Sequence, residues 1–335
     1  MASNSFGDLL RITTFGESHG PALGVVMDGC PSGISLSEED FLSELARRRP
    51  GQSAVTTARK EDDVPEILSG VFEGTTTGMP IAVIVRNTNQ RPEDYEKLRT
   101  TFRTGHADTT YHDKYGHRDH RGGGRSSGRE TVTRVIAGVM ARKILPPETR
   151  IIGHTIKIGP VEAKEFKPET IEQNLVRSAD PAAAKKMEDY ILKLKEEHNS
   201  IGGLIEVRTI APPKNLGDPV FRKLKSRLAD AVMSIGAVTG YSYGAGFETA
   251  TMRGIDYIGD QKNFGGMLGG ISTGADLVIT VSIKPTTSVG NLAKEGRHDP
   301  CIVPRVIPVL EAMVALVLAD CYLMQRAYAQ FPSHS

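Results

Sequence analysis

Along this chain the apolar residues change spacing repeatedly, but never in the regular strand–helix–strand alternation that builds a parallel sheet. Residues 9–15 and 22–27 read as strands, followed by the turn Asp28-Gly29-Cys30-Pro31-Ser32-Gly33. Ser37 is an N-cap type residue. Glu38, Glu39 and Asp40 follow it, Phe41, Leu42 and Leu45 give an apolar face, and Arg47, Arg48 and Arg49 fill the last turn before Pro50-Gly51. Acid first and base last suit the helix dipole. Residues 67–73 and 79–85 read as strands joined through residues 74–78. A helix is expected over 129–145, where Val132, Val135, Ile136, Val139 and Met140 share one face ahead of Pro146-Pro147. In the second half, strands are expected near 151–158, 204–210, 247–252 and 277–283, and helices near 181–197, 220–234 and 306–326. Hairpin strands mixed with helices favour an α+β fold over a doubly wound one. No low-complexity linker divides the chain, so residues 1–335 read as a single domain with long loops.

Charge narrows the function. There are 41 Lys and Arg against 40 Asp and Glu, a formal net charge of +1, which argues against a dedicated nucleic-acid or membrane-surface binder. The three cysteines, Cys30, Cys301 and Cys321, are far apart and fit neither a disulfide framework nor a zinc finger. The first residues lack a basic then apolar leader, and the longest apolar run, residues 312–319, is short of the ~20 needed to span a bilayer. A reducing, cytoplasmic compartment is the expectation. Glycine is abundant at 35 residues and Trp is absent, a pattern of tight turns and close backbone approaches.

Three segments carry chemistry. Gly16-Glu17-Ser18-His19-Gly20 follows a strand and puts His19 on a tight loop, either as a proton donor or as an exposed turn residue. Residues 87–124 are polar, irregular and too long for an ordinary connection. Within 97–134 nine basic and four acidic residues give a local balance of +5, together with His106, His112, His117 and His120. There Gly122-Gly123-Gly124-Arg125-Ser126-Ser127-Gly128-Arg129 runs into a helix N-terminus, where backbone N–H groups, hydroxyls and guanidinium forks favour phosphate or carboxylate. A metal at the histidines is disfavoured because the arginines repel a cation and HExxH is absent. The arginine–glycine stretch is a weak RNA signal with so few aromatics. The third segment is Gly296 through Cys301 before the last helix, with Lys284-Pro285-Thr286-Thr287-Ser288 and the glycine-rich 265–270 upstream. Asp299, beside Arg297 and His298, reads as a proton relay or as an ion pair.

Taken in order, these blocks resemble the chorismate synthases. The matching stretches are Thr14 to Gly20, Arg47 to Gly51, Gly105-His106-Ala107-Asp108, Lys114-Tyr115-Gly116, Gly122 to Thr131, Ser234-Ile235-Gly236-Ala237, Gly265 to Ser272, Lys284 to Ser288 and Gly296 to Cys301. The resemblance spans nearly the whole chain. It implies a β-α-β sandwich, usually assembled as a homotetramer. It also implies a lyase that converts 5-enolpyruvylshikimate 3-phosphate to chorismate and phosphate by 1,4-elimination. That is the last step of the shikimate pathway, on the way to aromatic amino acids, run with reduced FMN and no net redox change. The substrate carries roughly four negative charges at neutral pH, which suits a dense cationic loop in an otherwise balanced protein.

Carried over by the resemblance, His19 protonates the departing phosphate, His106 acts at the reduced flavin and Asp299 relays the substrate proton. Arg48, Arg49 and Arg129 hold substrate anions, and Arg48 is also associated with NADPH as a candidate reductant. Arg125, Ser126, Ser127, Gly236, Ala237, Gly269, Lys284, Pro285, Thr286, Thr287, Ser288 and Arg297 form the flavin site, with no metal. Thr104, Thr109, Gly128 and Ala54 depart from common family residues. Ala54 stands where many members have Arg, and the stretches 253–264 and 289–295 are shorter than usual. The compact length favours a monofunctional enzyme, one that does not reduce its own flavin. A phosphate- or RNA-binding module without catalysis is the rival reading, and a metal hydrolase a third.

Overall fold

The computed structural model describes residues 3–49, 63–87, 99, 101–290 and 299–328. Two five-stranded antiparallel sheets flank a layer of helices. The first sheet is built from β1 (Ser5–Phe6), β2 (Arg11–Phe15), β3 (Ala22–Asp28), β4 (Pro65–Ser69) and β7 (Ile81–Arg86), in the order β1-β2-β3-β7-β4. Between its last two strands, β5 (Val71–Phe72) and β6 (Thr75–Thr76) form a small hairpin. The expected strand over 67–73 is therefore split. Gly70, at φ +80°, lies so close to Pro80 and Ile81 that a Cβ would meet the Pro80 carbonyl oxygen at 2.7 Å.

The second sheet takes β8 (Arg150–Ile158), β9 (Val161–Glu162), β10 (Gly203–Ile210), β11 (Val238–Tyr243) and β14 (Leu277–Ile283), in the order β11-β14-β10-β8-β9. β12 (Met267–Leu268) and β13 (Ile271–Ser272) form a separate turn. Alternating residues Leu23, Val25 and Met27 of β3, and Leu277, Ile279, Val281 and Ile283 of β14, are buried against the helices. The expected strand over 247–252 is instead a 3-10 turn, Gly246–Thr251, and the strand lies earlier, in β11. The Thr249 and Thr251 hydroxyls donate to the Gly246 and Glu248 carbonyls at 2.8 and 3.0 Å, local bonds that compete with a sheet ladder.

The helices are α1 (Glu39–Arg48), α2 (Asp108–Tyr115), α3 (Thr131–Arg142), α4 (Pro181–Glu196), α5 (Leu224–Met233), α6 (Gly254–Gly259) and α7 (Val303–Ala327). α1 starts after Glu38 rather than directly at Ser37. The Ser37 backbone N–H donates to Asp40 Oδ2 at 2.8 Å, so the reciprocal half of a capping box closes this end. The predicted face of α3 is buried at all five positions. α3 packs on β2 and β3, while α7 packs on β8 and β10, and the two helices meet in the middle. At that crossing a Cβ on Gly138 would lie 2.3 Å from the Ala312 Cβ. α7 carries Pro304 in its first turn, where the missing N–H has no helical partner to lose. It is also longer than its uninterrupted apolar run suggested. By length and composition it could cross a membrane, yet 89% of its most apolar window is buried here as the core helix.

Two buried carboxylates pin this layer. Glu311 accepts from Arg47, from Arg142 at 3.0 Å and from the Gly153 N–H at 2.7 Å, tying α1, α3 and β8 to α7. Asp320 accepts the N–H groups of Asp8, Leu9 and Leu10 at 3.0, 2.8 and 2.9 Å, which seats the start of β2 on α7.

The Gly138–Ala312 contact leads to a signed expectation. Gly138→Ala should gain about 1 kcal/mol of helix propensity but force the helices apart at a cost of roughly 1–3 kcal/mol. Denaturant unfolding should show a net loss of stability; a gain would mean the crossing is loose.

Candidate active site

His19 sits on the loop between β2 and β3. Gly16, at φ +91°, turns the chain so closely on Ala22 that a Cβ would meet its carbonyl oxygen at 2.2 Å, and the Gly20 N–H closes the loop on the Glu17 carbonyl at 3.0 Å. The imidazole is only 3% exposed, which removes the reading of an exposed turn residue. Its Nδ1 bonds the Ser18 hydroxyl at 3.0 Å. Gly122 covers the ring: a Cβ there would lie 2.1 Å from His19 Cε1, so only glycine permits this approach.

Gly122, Gly123 and Gly124 all have positive φ, at +65°, +91° and +54°. This curl feeds two 3-10 turns, Gly124–Ser126 and Gly128–Glu130, so the glycine loop does not enter α3 directly as the sequence suggested. Arg125 staples the curl to β2 by donating to Thr14 Oγ1 at 2.6 Å, Asn4 Oδ1 at 3.2 Å and the Gly16 carbonyl at 3.4 Å. The Ser126 hydroxyl donates to the Gly123 carbonyl at 2.7 Å, and Ser127 Oγ accepts the Arg129 N–H at 3.3 Å. Glu17 leans its carboxylate on Gly124. Burial pushes its pKa up, against the pull of Arg125.

His106 lies in the segment before α2, its N–H on the Arg103 carbonyl at 3.3 Å. Its Nε2 lies 3.1 Å from Thr287 Oγ1, and Gly105 packs against the same threonine. Arg103 grips Asp108 with Nε and Nη2, both at 2.9 Å. Its guanidinium also lies over the curl, 3.3 Å from where a Cβ on Gly123 would stand. Burial alone would raise the Asp108 pKa, but the bonds from Arg103 outweigh it and hold it at about 2. Burial, Arg103 and Lys284 push the His106 pKa below the ordinary imidazole value, with Asp108 opposing. The ring is therefore neutral at neutral pH. Lys284 is half-buried and makes no ion pair among the described residues.

From Thr287 the contacts run onward. The Lys284 N–H donates to the Ala237 carbonyl at 3.0 Å, which brings the residues after α5 alongside. Thr286 Oγ1 donates to the Asp299 carbonyl at 2.8 Å, and the Asp299 carboxylate accepts from Arg305 in the first turn of α7. Arg305 Nε in turn donates to the Arg48 carbonyl at 3.4 Å. Arg48, at the end of α1, and Arg129 both pair with the buried Asp63 carboxylate. Arg129 further bonds Asn87 Oδ1, whose amide nitrogen donates to the Glu17 and Gly20 carbonyls at 3.2 and 2.8 Å. The path thus closes back on the His19 loop.

The structure brings His19, His106, Asp299, Arg48, Arg125, Ser126, Ser127, Arg129, Ala237, Lys284, Thr286 and Thr287 into this ring, with Gly236, Pro285 and Ser288 beside them in sequence. Arg49 caps α1 next to Arg48, its N–H on the Leu45 carbonyl at 3.0 Å. Gly269 stands apart, in the β12–β13 turn at φ +61°. Arg297, His298 and Ala54 lie outside the described residues. Sequence reading missed Asp63, Asn87 and Arg305 and gave Arg103 no role of its own. Arg103 had a signal in its place in the basic segment, and Asn87 in the long polar stretch that it begins. A cavity of about 590 Å³ lined by Tyr241, Tyr243, Phe247, Met252 and Tyr257 shares no residue with the ring. Among the described residues, no group of three or more His, Cys, Asp or Glu could hold a metal ion.

The family model for chorismate synthase matches residues 10–323. The chain belongs to the chorismate synthase family. A chorismate synthase of Methanosarcina mazei is 50% identical, with 96% of each chain covered. Those of Methanocaldococcus jannaschii and Bdellovibrio bacteriovorus are 48% and 47% identical, covering 95% and 97% of this chain and 95% and 99% of theirs. A solved structure described as "Crystal Structure of Chorismate Synthase" superposes with a TM-score of 0.78 at 32% identity, over 96% of this chain and 93% of that one. The α+β sandwich is thus a chorismate synthase fold, and the enzyme is a lyase of the shikimate pathway that eliminates phosphate to form chorismate.

The electrostatics of this chorismate synthase carry a direct expectation. Removing the Lys284 charge in Lys284→Gln should raise the His106 pKa, read as an upward shift of its imidazole resonances in an NMR titration. No shift, or a downward one, would place Lys284 too far away to matter.

Proposed function

We propose that the ring is the site where this chorismate synthase binds reduced FMN and 5-enolpyruvylshikimate 3-phosphate. The observation that carries the reading is that one glycine curl packs on His19 at Gly122 and on Arg103, which accepts the His106 N–H, at Gly123, within a closed path of contacts rich in arginine. The donor set suits a flavin. A Cβ at Gly236, beside Ala237 in the ring, would meet nothing within 4 Å, so backbone there is open to a ligand. Lys284 supplies a half-buried cation for an anionic group. Arg125, Ser126, Ser127, Gly236, Ala237, Gly269, Lys284, Pro285, Thr286, Thr287, Ser288 and Arg297 would hold it. When bound, reduced flavin supplies an electron transiently to the substrate and takes it back.

The chain's own residues handle charge and protons. Arg48 and Arg129, with Arg49, bind the phosphate and carboxylates as charge-assisted forks. His19, fixed by Ser18 at Nδ1, donates a proton to the phosphate oxygen as the carbon–oxygen bond breaks. His106, its pKa lowered chiefly by burial, would stand beside the bound cofactor as a group able to hold a shared proton. Asp299, held by Arg305 and Thr286, relays the proton lost from carbon. Phosphate leaves with the carbon–oxygen pair, the carbon–hydrogen pair forms one double bond, the intervening double bond shifts to the carbon that lost phosphate, and no net oxidation results. The working form is a single domain over residues 1–335, assembled as a homotetramer in the cytoplasm. NADPH serves only as a distant reductant through a separate flavin reductase.

The decisive assay supplies the phosphorylated substrate with FMN reduced chemically under anaerobic conditions. Chorismate should form, and aerobic NADPH without added reductase should not support turnover. His19→Ala and His106→Ala should each lower kcat by about 10²–10⁴-fold, the usual worth of general acid–base catalysis. Full turnover in either variant would remove that residue from the chemistry.

A further inference from the structure

Two polar residues lie between the substrate-binding arginines and the proton-donor loop, and neither has a role in the chemistry above. Asp63 is wholly buried, its side chain 0% exposed, and it holds Arg48 Nη2 on one oxygen at 2.6 Å and Arg129 Nη1 on the other. Its backbone is left-handed at φ +47°, a region that an L-residue with a Cβ enters only where the surroundings hold it there. Asn87 uses its whole amide: Oδ1 accepts Arg129 Nε and Nη2 at 3.3 and 3.2 Å, and Nδ2 donates to the Glu17 and Gly20 carbonyls on either side of His19.

We infer that Asp63 and Asn87 are positioning residues, a buried clamp that sets the spacing of the Arg48 and Arg129 guanidiniums and locks them to the loop carrying His19. The inference rests on the reading that Arg48 and Arg129 bind substrate anions and His19 donates the proton. Two guanidiniums share one carboxylate, so its two oxygens set the spacing between them. The planar fork of Arg129 spends its other edge on Asn87, so its orientation is set from two sides. Seating an anion on the arginines therefore also fixes its distance from His19. Alignment of this kind is lost steeply with small displacements.

The two residues make separable predictions. Asp63→Asn keeps the shape and adds one positive charge to the cluster. If Asp63 only neutralised charge, the added cation should tighten anion binding and lower KM. As a clamp, its loss should raise KM for the phosphorylated substrate about tenfold or more, the weight of a buried charged hydrogen bond. Asn87→Asp keeps an acceptor for Arg129 but replaces the amide donors with a carboxylate facing two carbonyls. It should lower kcat by about tenfold or more because the link to the His19 loop is cut, and raise KM as well because the new carboxylate sits on Arg129.

Both variants are measured as full-length protein with chemically reduced FMN, alongside FMN affinity and thermal unfolding. A general structural defect would move all of these readouts together, whereas the clamp moves KM or kcat with FMN affinity and unfolding unchanged. Asp63→Asn with KM unchanged or lower, or Asn87→Asp with kcat unchanged or falling in step with FMN affinity, would overturn the inference. Should Asp63→Asn fail to fold, Asn87→Asp decides by itself, with Asn87→Ala as its check. Arg129→Ala separates the two levels. A normal KM there would remove the substrate-binding reading itself, while a raised KM beside an inert Asn87→Asp would fail the clamp alone.

Discussion

The approach of α3 to α7 at Gly138 and Ala312 is the constraint on which the rest of the molecule is hung. Each helix presents its other side to a different sheet, α3 to β2 and β3, α7 to β8 and β10. The separation of the two sheets is therefore set by how closely these helices can pack, and a glycine sets the minimum. Burying Glu311 in the middle of so apolar a helix is tolerable because Arg47, Arg142 and the Gly153 N–H satisfy it from three elements at once. Arg47 is the neighbour of Arg48, so the same ion network that locks the helical layer also fixes where α1 delivers its last arginine.

With that layer in place, the segments that carry chemistry have little freedom. The His19 loop leaves β2, the glycine curl leads into α3, residues 284–287 leave β14, and Asp299 leads into α7. Their contacts are short-range and polar, and most run between segments distant in sequence: Asn87 to the His19 loop, Arg103 to the curl, Thr287 to His106, Arg305 to Arg48. Positive charge is concentrated here, but much of it is already spent on Asp63, Asp108 and Asp299. Arg125, by contrast, bonds only the neutral oxygens of Asn4, Thr14 and Gly16 among the described residues.

Much of this was legible beforehand, for specific reasons. Regular periodicity located α3, α4, β8, β10 and β14 within a few residues, because burial on one face imposes a repeat on the sequence. His19, His106 and the curl were legible because glycine marks backbone that a side chain would obstruct. The strand expected at 247–252 was not there, since two threonines bond backward to their own chain and outcompete a ladder. The helix start at Ser37 shifted because Asp40 supplies the cap in reverse. Asp63 had no signal at all, and Asn87 only its place at the start of the long polar stretch 87–124. An acid beside other acids and an asparagine at a strand end look like surface residues until their partners arrive.

The sequence by itself determined the family, the α+β class and the local +5 segment, because these depend on residue type and short-range spacing. Only the tertiary structure decided that His19 is buried, that His106 is kept neutral by burial and two cations, and that two arginines share one carboxylate. Those properties arise from pairings between residues 15, 66 and 103 positions apart. Coulomb energy, desolvation and hydrogen bonding depend on distance in space, and no one-dimensional pattern reports that distance until the helical layer has set it.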